Sequence, residues 1–274
     1  MEYKIADISN FQAPANGDYA GWLKALKNKY GVSSVSILLS DGTSWHQPVA
    51  AYQAYHAYKI FGNFSAYHFF RGSGKAEAQN FLAALKAVGA DKTTVVMVDA
   101  ETRLSNLTGH INAFIDTIYD AGYHNIFVYS MESMFDGADN GIKVSKLHHS
   151  PKIWVANISY KPRMKHDAWQ YTWTGNVWGK DVDLDIDYTG LLAKGVQAAP
   201  KQEYWKDGKV FEVITDGVRV YQDVGLSKDK MTYNWYSKGS HFDVDRIEYA
   251  GSVPRLHNKY GYITANKKYV KKYK

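Results

Sequence analysis

Val95-Val96-Met97-Val98-Asp99-Ala100-Glu101 is the stretch from which the fold is best read. Three valines and a methionine fill its first four positions, the composition of a strand buried on both faces. Two carboxylates close it. Residues i and i+2 of a strand share a face, so Asp99 and Glu101 leave the strand end together. Like charges held that close resist joint ionisation: one stays anionic while the other holds its proton to higher pH. A general acid working near neutrality needs that property. An ordinary solvated turn after a strand is the competing reading of the same residues.

Outward from this strand, apolar segments and helical patterns alternate. Strands are predicted at Tyr3–Ile8, Val35–Leu39 and Phe64–Phe70, and helices at Trp22–Tyr30, Ala50–Phe61, Lys75–Val88 and His110–Ala121. Tyr52, Tyr55 and Tyr58 recur every third residue of the second helix, and this stripe is expected to pack inward. Further strands follow at Ile126–Tyr129, Ile153–Asn157, Ala168–Tyr171 and Val182–Ile186, with little helix between them. Strands alternating with helices, then strands with little helix between them, indicate a parallel α/β barrel whose last third has lost most of its helices. Active sites of barrels lie at the C-terminal strand ends. Asp7, Asp41, His68, Asp99, Glu101 and Tyr129 all fall near such ends.

Ala193–Lys201 (AKGVQAAPK) has small residues, Gly and Pro without periodicity, so a linker is placed at 193–202 between domains at 1–192 and 203–274. The last part reads as short strands between turns, including Lys209–Ile214, Val218–Gln222, Thr232–Ser237, His241–Tyr249 and Gly261–Asn266, with no helix. A small SH3-like β-domain is the economical assignment. Charge divides at the same boundary. Residues 1–200 hold 18 basic and 18 acidic side chains, residues 201–274 hold 15 and 9, so the whole excess of +6 lies in the C-terminal part. A basic module beside a neutral one suits an anionic polymer. With no cysteine, disulfides and thiol catalysis are excluded. No apolar run reaches the roughly 20 residues of a membrane span, and the N-terminus lacks the basic and apolar regions of a signal peptide.

Asp181-Val-Asp-Leu-Asp-Ile-Asp187 alternates strictly, so its four aspartates share one strand face. A calcium loop wants Gly at its sixth position and Glu at its twelfth, where this chain has Ile186 and Leu192. No spacing of His, Asp or Cys suggests a metal, and His68 reads as a hydrogen-bonded barrel histidine. Ser9 has no evident partner for nucleophilic catalysis.

The ordered set Asp7-x-Ser9-x-x-Gln12, Asp41-Gly42-Thr43, Ser65-Ala66-Tyr67-His68-Phe69, Ala76 with Gln79 and Phe81, Val98-Asp99-Ala100-Glu101, Val128-Tyr129-Ser130, Ile153-Trp154-Val155-Ala156, Trp169-Gln170-Tyr171 and Val182-Asp183-Leu184-Asp185 resembles the glycoside hydrolase family 25 lysozymes. These are the Chalaropsis-type muramidases of phage endolysins and bacterial autolysins. The resemblance spans residues 1 to about 190; the chain departs from it at Leu39-Ser40-Asp41, where many members carry Lys and Glu. It implies an irregular TIM-like (β/α)5(β)3 barrel that cleaves the β-1,4 bond between N-acetylmuramic acid and N-acetylglucosamine. It implies Glu101 as general acid, and Asp99 as nucleophile or as stabiliser of an intermediate formed by the sugar's own acetamido group. Asp7 and Asp183 would hold charge and orientation around the pair, with Asp185 able to stand in for Asp183. Tyr67, Tyr129, Trp154 and Trp169 would be cavity aromatics. No cofactor and no metal are implied.

The C-terminal Gly261–Val270 segment resembles wall-binding modules of lactobacilli and their phages. The expected partners are peptidoglycan and anionic wall polymers, without nucleic acid and without membrane insertion. Synthesis in a host cytoplasm followed by action at the wall is expected. A chitinase-like glycosidase and an inactive wall-binding protein on the same scaffold are the alternatives.

Overall fold

The computed structural model describes residues 2–135, 140–195, 203–251 and 253–273. The chain divides into two compact units, Met1–Val196 and Gln197–Lys274. Of the expected linker, Ala193 and Lys194 belong to a short helix, and residues 196–202 lie outside the described residues.

The first unit runs β1 (Tyr3–Ile8), α1 (Tyr19–Tyr30), β2 (Val35–Asp41), the two-residue β3 (Trp45–His46), α2 (Ala50–Phe61), β4 (Ser65–Phe69), α3 (Lys75–Ala87), β5 (Val96–Asp99), α4 (Leu107–Asp120), β6 (Ile126–Met131), β7 (Lys152–Ala156), β8 (Ala168–Val177), β9 (Lys180–Asp187) and α5 (Leu191–Lys194). Neighbouring strands run in the order β1-β9-β8-β7-β6-β5-β4-β2-β3, and pairing of β1 with β2 closes eight strands into a barrel. The four long helices all precede β6; two 3-10 turns, Glu132–Met134 and Val144–Lys146, lie between β6 and β7.

Alternation along each strand separates two cores. Ala6, Ile8, Val35, Ile37, Val96, Val98, Val128, Val155, Val182 and Leu184 point outward and pack under the helices. Ile5, Tyr67, Met97, Phe127, Tyr129, Trp154 and Ala168 fill the barrel interior. The helices reach the barrel through small residues: α2 buries Ala50, Gln53, Ala54 and Ala57. This corrects the expected inward tyrosine stripe, because Tyr52, Tyr55 and Tyr58 are each about 60% exposed. Both sets have helical spacing. The alanine face lets the helix sit close to the strands, and the phenolic hydroxyls stay in water.

The barrel is parallel except at its last strand. β9 is antiparallel to both β8 and β1, a reversal that the sequence pattern of a parallel barrel did not show. The cause is local. Trp178 and Gly179 both adopt left-handed backbone, φ 54° and φ 77°. Two successive left-handed residues build the tight turn that returns a strand beside its predecessor. β9 therefore starts at the mouth of the barrel, where the other strands end.

The described residues of the second unit form β-strands and one 3-10 turn, Lys228–Lys230. The strands are β10 (Val210–Val213), β11 (Gly217–Tyr221), β12 (Met231–Ser237), β13 (His241–Asp243), β14 (Arg246–Ala250), β15 (Val253–Asn258), β16 (Gly261–Thr264) and β17 (Val270–Lys272). They form a three-stranded sheet β13-β10-β17 and a five-stranded sheet β12-β11-β16-β15-β14. Phe211, Val213, Val218, Val220, Phe242, Leu256, Ile263 and Val270 make one shared core. The run His241–Tyr249 is two strands in different sheets, broken at Val244-Asp245. The strand β15 is not among those expected above; its Pro254 sits opposite Tyr249 of β14.

Candidate active site

A cavity of about 260 Å³ opens at the C-terminal mouth of the barrel. Each acidic side chain in it is delivered by a strand end. Asp7 comes from β1, Asp99 is the last residue of β5, and Glu101 follows two residues on. Reversed β9 delivers Asp183 directly opposite Asp7. Tyr67 from β4 and Tyr129 from β6 complete the wall. Among the described residues no Lys, Arg or His lines it.

Four carboxyls without a counter-ion have a predictable electrostatic result. Burial, then the charges of Asp183 and Glu101, push Asp7 well above the ordinary aspartate range. Burial, followed by Glu101 and Asp7, does the same to Asp99, which is 7% exposed. Glu101, nearer the opening, is raised by burial, while the nearby Tyr129 hydroxyl pulls the other way. Asp183 is pushed up to about 6, chiefly by burial and also by Glu101, against a hydrogen bond from Gln170. The cluster therefore retains protons at a pH where isolated carboxyls are ionised. Asp7 Oδ2 and Asp99 Oδ1 are buried without hydrogen-bond partners, so both acids have acceptor capacity to spare.

The loop leaving β1 is fixed by its own motif. Ser9 Oγ accepts from Phe11 N at 3.2 Å, and Gln12 Oε1 accepts from Ser9 N at 2.8 Å. Gln12 Nε2 then donates to Asp181 O at 2.7 Å, tying the loop to β9. Ser9 and Gln12 thus act as a capping box that clamps the mouth. Beside them Phe11 lines the cavity rim and is 76% exposed. Phe11, Leu38, Phe69 and Met97 were not singled out from the sequence; for Phe11 the signal was a large apolar residue in a strand-end loop.

Several expected site residues sit elsewhere. Asp185 is one layer below the cavity, opposite Ile5, with 0% exposure and both carboxyl oxygens lacking partners of normal geometry. Burial, then Asp7 and Asp183, raise it well above its ordinary value, partly offset by the Trp154 indole and the Asp7 amide. It supports the cluster from beneath and does not line the cavity. Trp154 is fully buried, its ring meeting Tyr129 edge-on at 5.7 Å, so it has no face to offer a sugar. Trp169 is on the next strand but points outward, where its Nε1 donates to Asn157 O at 2.7 Å. Neither tryptophan lines the cavity. Tyr129 instead donates its hydroxyl to Gln170 Oε1, which positions it over the acids.

Asp41 is turned away from the cavity by a two-pronged pair with Arg71, 2.7 Å at each contact. His68 also faces outward, fully buried between Ser40 Oγ at 2.8 Å and Glu77 Oε2 at 2.7 Å. Glu77 additionally accepts from Arg71 N at 2.8 Å and Ser73 N at 2.6 Å, binding the loop after β4 to α3. This buried acid was missed in the sequence, although it lies four residues before Phe81 on the apolar face of α3. Asp187 caps α5 through Thr189 N, Gly190 N and Ala193 N. Among the described residues no group of three or more His, Cys, Asp or Glu is arranged to hold a metal ion.

Residues 6–180 match the family model described as Glycosyl hydrolases family 25. The chain belongs to this family. Within family 25 the barrel is the shared part: residues 204–270 match a separate model, Domain of unknown function (DUF5776). Among solved structures, the chain is similar to the catalytic domain of endolysin ply40 from bacteriophage P40 of Listeria monocytogenes, at 25% identity and TM-score 0.58, covering 71% of this chain and 97% of that one. It is also similar in fold to the modular autolysin LytC from Streptococcus pneumoniae, at 19% identity and TM-score 0.56, covering 68% of this chain. That match spans 46% of LytC, less than half its length. The bacterial lysozyme from Streptomyces coelicolor shares the fold at 23% identity and TM-score 0.50, covering 70% of this chain and 95% of that chain. No curated protein matches the chain. Among the described residues no helix is long and apolar enough to cross a membrane.

Proposed function

We propose that this family 25 hydrolase is a lysozyme that cleaves the β-1,4 bond between N-acetylmuramic acid and N-acetylglucosamine in bacterial peptidoglycan. The observation that carries the reading is the gathering of four carboxyls in one strand-end cavity, with no cation among the described residues that line it. Such a cavity is hostile to a resting anion and favourable to positive charge, which is what an anomeric carbon develops as its bond to oxygen breaks.

In this mechanism Glu101 gives its proton to the glycosidic oxygen, and the C1–O bond breaks with its electron pair going to that oxygen. Asp99, or the sugar's acetamido oxygen steadied by Asp99, meets the electron-poor C1. Water then attacks C1, displaces the Asp99 or acetamido oxygen with its electron pair, and gives a proton to the Glu101 carboxylate. Asp7 and Asp183 hold negative potential around the reacting carbon, and Tyr67 and Tyr129 line the site. Asp185 keeps a supporting role below. The solved complex of LytC with a synthetic peptidoglycan ligand is consistent with this substrate class.

Residues 1–192 are assigned the chemistry and residues 203–274 a tethering role at the wall, with anionic wall polymer as the tether's partner. A tether raises the local concentration of enzyme on its insoluble substrate. The reading includes neither a nucleic-acid partner nor membrane insertion, and it puts the protein's action at the bacterial cell wall. Mass spectrometry of digested wall tests it directly. New reducing ends on muramic acid are expected; reducing ends on glucosamine, or digestion of chitin in place of wall, would overturn it.

A further inference from the structure

The second unit carries a concave aromatic and cationic feature that the hydrolase chemistry does not use. A cavity of about 290 Å³ is walled by Arg219, Tyr221, Leu226, Thr264 and Tyr269. At one flank the Arg219 guanidinium lies 5.9 Å from the centre of the Trp235 ring. At the other, Lys268 Nζ lies 5.9 Å from the centre of the Tyr269 ring. Neither cation has a carboxylate partner among the described residues, whereas Lys267, Lys271 and Lys272 each pair with an acid. The nearby Asp223 is committed to its own turn, accepting from Gly225 N, Ser227 N and Ser227 Oγ.

The aromatic side is equally prepared. Trp235 is held flat against the backbone of Gly217, where an added Cβ would meet its ring at 2.6 Å. It remains 55% exposed, and Tyr233, on the same strand face, is entirely so. Rings exposed in fixed positions are stacking platforms for sugar faces, and unpaired cations beside them attract anions. A neutral sugar needs no cation. A free phosphate needs no aromatic platform. A sugar chain joined by phosphodiesters calls on both.

We propose that this face of the five-stranded sheet, centred on Arg219 and Trp235, binds a phosphodiester-bearing glycopolymer of the bacterial wall. The proposal rests on the tethering role given to the second unit and adds the residues and the ligand class. A single-stranded nucleic acid offers rings and phosphates too. The excess of basic over acidic residues, 15 against 9 in 201–274, is small for that partner, and the same chain carries a glycan hydrolase.

The test uses the full chain in a Glu101→Gln background, so that walls stay intact during sedimentation. Purified Gram-positive walls are compared before and after hydrofluoric acid, which cleaves phosphodiesters and leaves peptidoglycan. Binding to untreated walls is expected to weaken about tenfold on acid treatment, and about tenfold in Arg219→Ala or Trp235→Ala. It should also weaken with added salt. Tyr233→Ala, at a wholly exposed position outside the core, should cost several-fold. The same three substitutions in the otherwise unaltered enzyme should leave turnover of soluble glycan fragments unchanged. If the parent chain binds neither wall, the tethering role itself falls. If it binds both walls equally, the tether survives and the phosphodiester ligand is overturned. Unaltered binding by Arg219→Ala and Tyr233→Ala, or tighter binding to an oligonucleotide than to untreated wall, overturns the site.

Discussion

Replacing Asp183 with Asn should strengthen the fold while weakening the enzyme. Its carboxyl has an ordinary value of 3.8 and is held at about 6 in the folded chain. The folded state therefore binds a proton more tightly than the unfolded state, and stability must fall as pH rises from about 4 through 6. Carried to about pH 7, that difference corresponds to roughly 3 kcal/mol of destabilisation, and to about half as much near pH 5. Partial exposure reduces the figure, so a gain of about 1–3 kcal/mol at neutral pH is expected for the variant. Asn keeps an oxygen for Gln170, and losing this charge also relieves Asp7 and Asp185. Denaturant unfolding followed by the helical circular-dichroism signal isolates the first unit, since the described residues of the second include no α-helix. The variant's midpoint should exceed the parent's at about pH 7 and converge with it near pH 4. Equal midpoints at both values, or a variant weaker at neutral pH, would refute the view that the fold opposes ionisation here.

Glu101→Gln should lower wall lysis by about 10²–10⁴-fold, the usual contribution of a general acid, with the unfolding midpoint unchanged or raised; turbidity clearing of Gram-positive walls reads the loss. Tyr129→Phe removes the hydroxyl whose proximity lowers the Glu101 pKa. The alkaline limb of the pH–rate profile should then move to higher pH, and a move to lower pH would contradict the assigned contact. Glu77→Ala would leave His68 and two backbone N–H groups without their acceptor. At about 1–3 kcal/mol for each orphaned group, a loss of several kcal/mol is expected in the same unfolding assay. A chain ending near residue 200 should still cut soluble glycan but associate less with walls, the deficit being greatest at low salt, where a charged tether contributes most.

How much of this was legible in the sequence depends on what each feature rests on. The β5 strand and its acidic end were readable because burial on both faces leaves an unbroken apolar run, and the turn that follows is where acids can reach solvent. That the aspartates of β9 share a face was readable from their alternation alone. Which of them reaches the mouth was not, because depth depends on strand direction, set by Trp178 and Gly179 and by pairing with β1. Trp154 and Trp169 failed as cavity residues for a similar reason. A tryptophan satisfies either face of a barrel strand, and only the pairing shows that one is walled in and the other points out. On α2 the alanines and the tyrosines carried equally good helical spacing, and the close approach to the strands decided between them.

The two-residue bend at Trp178-Gly179 has a consequence for how this enzyme can be lost. Shortening or lengthening that bend by a single residue could be absorbed by sliding β9 one position along its neighbours, and such a slide turns every side chain of the strand over. Val182 and Leu184 would then face the interior, and the aspartates would be thrust among the helices. Every acid would remain in the gene, yet the chamber would have lost Asp183, one of its four carboxyls, and the buried Asp185 beneath it. An intact set of carboxyls is thus no guarantee of a working hydrolase unless the hairpin outside the barrel is intact as well.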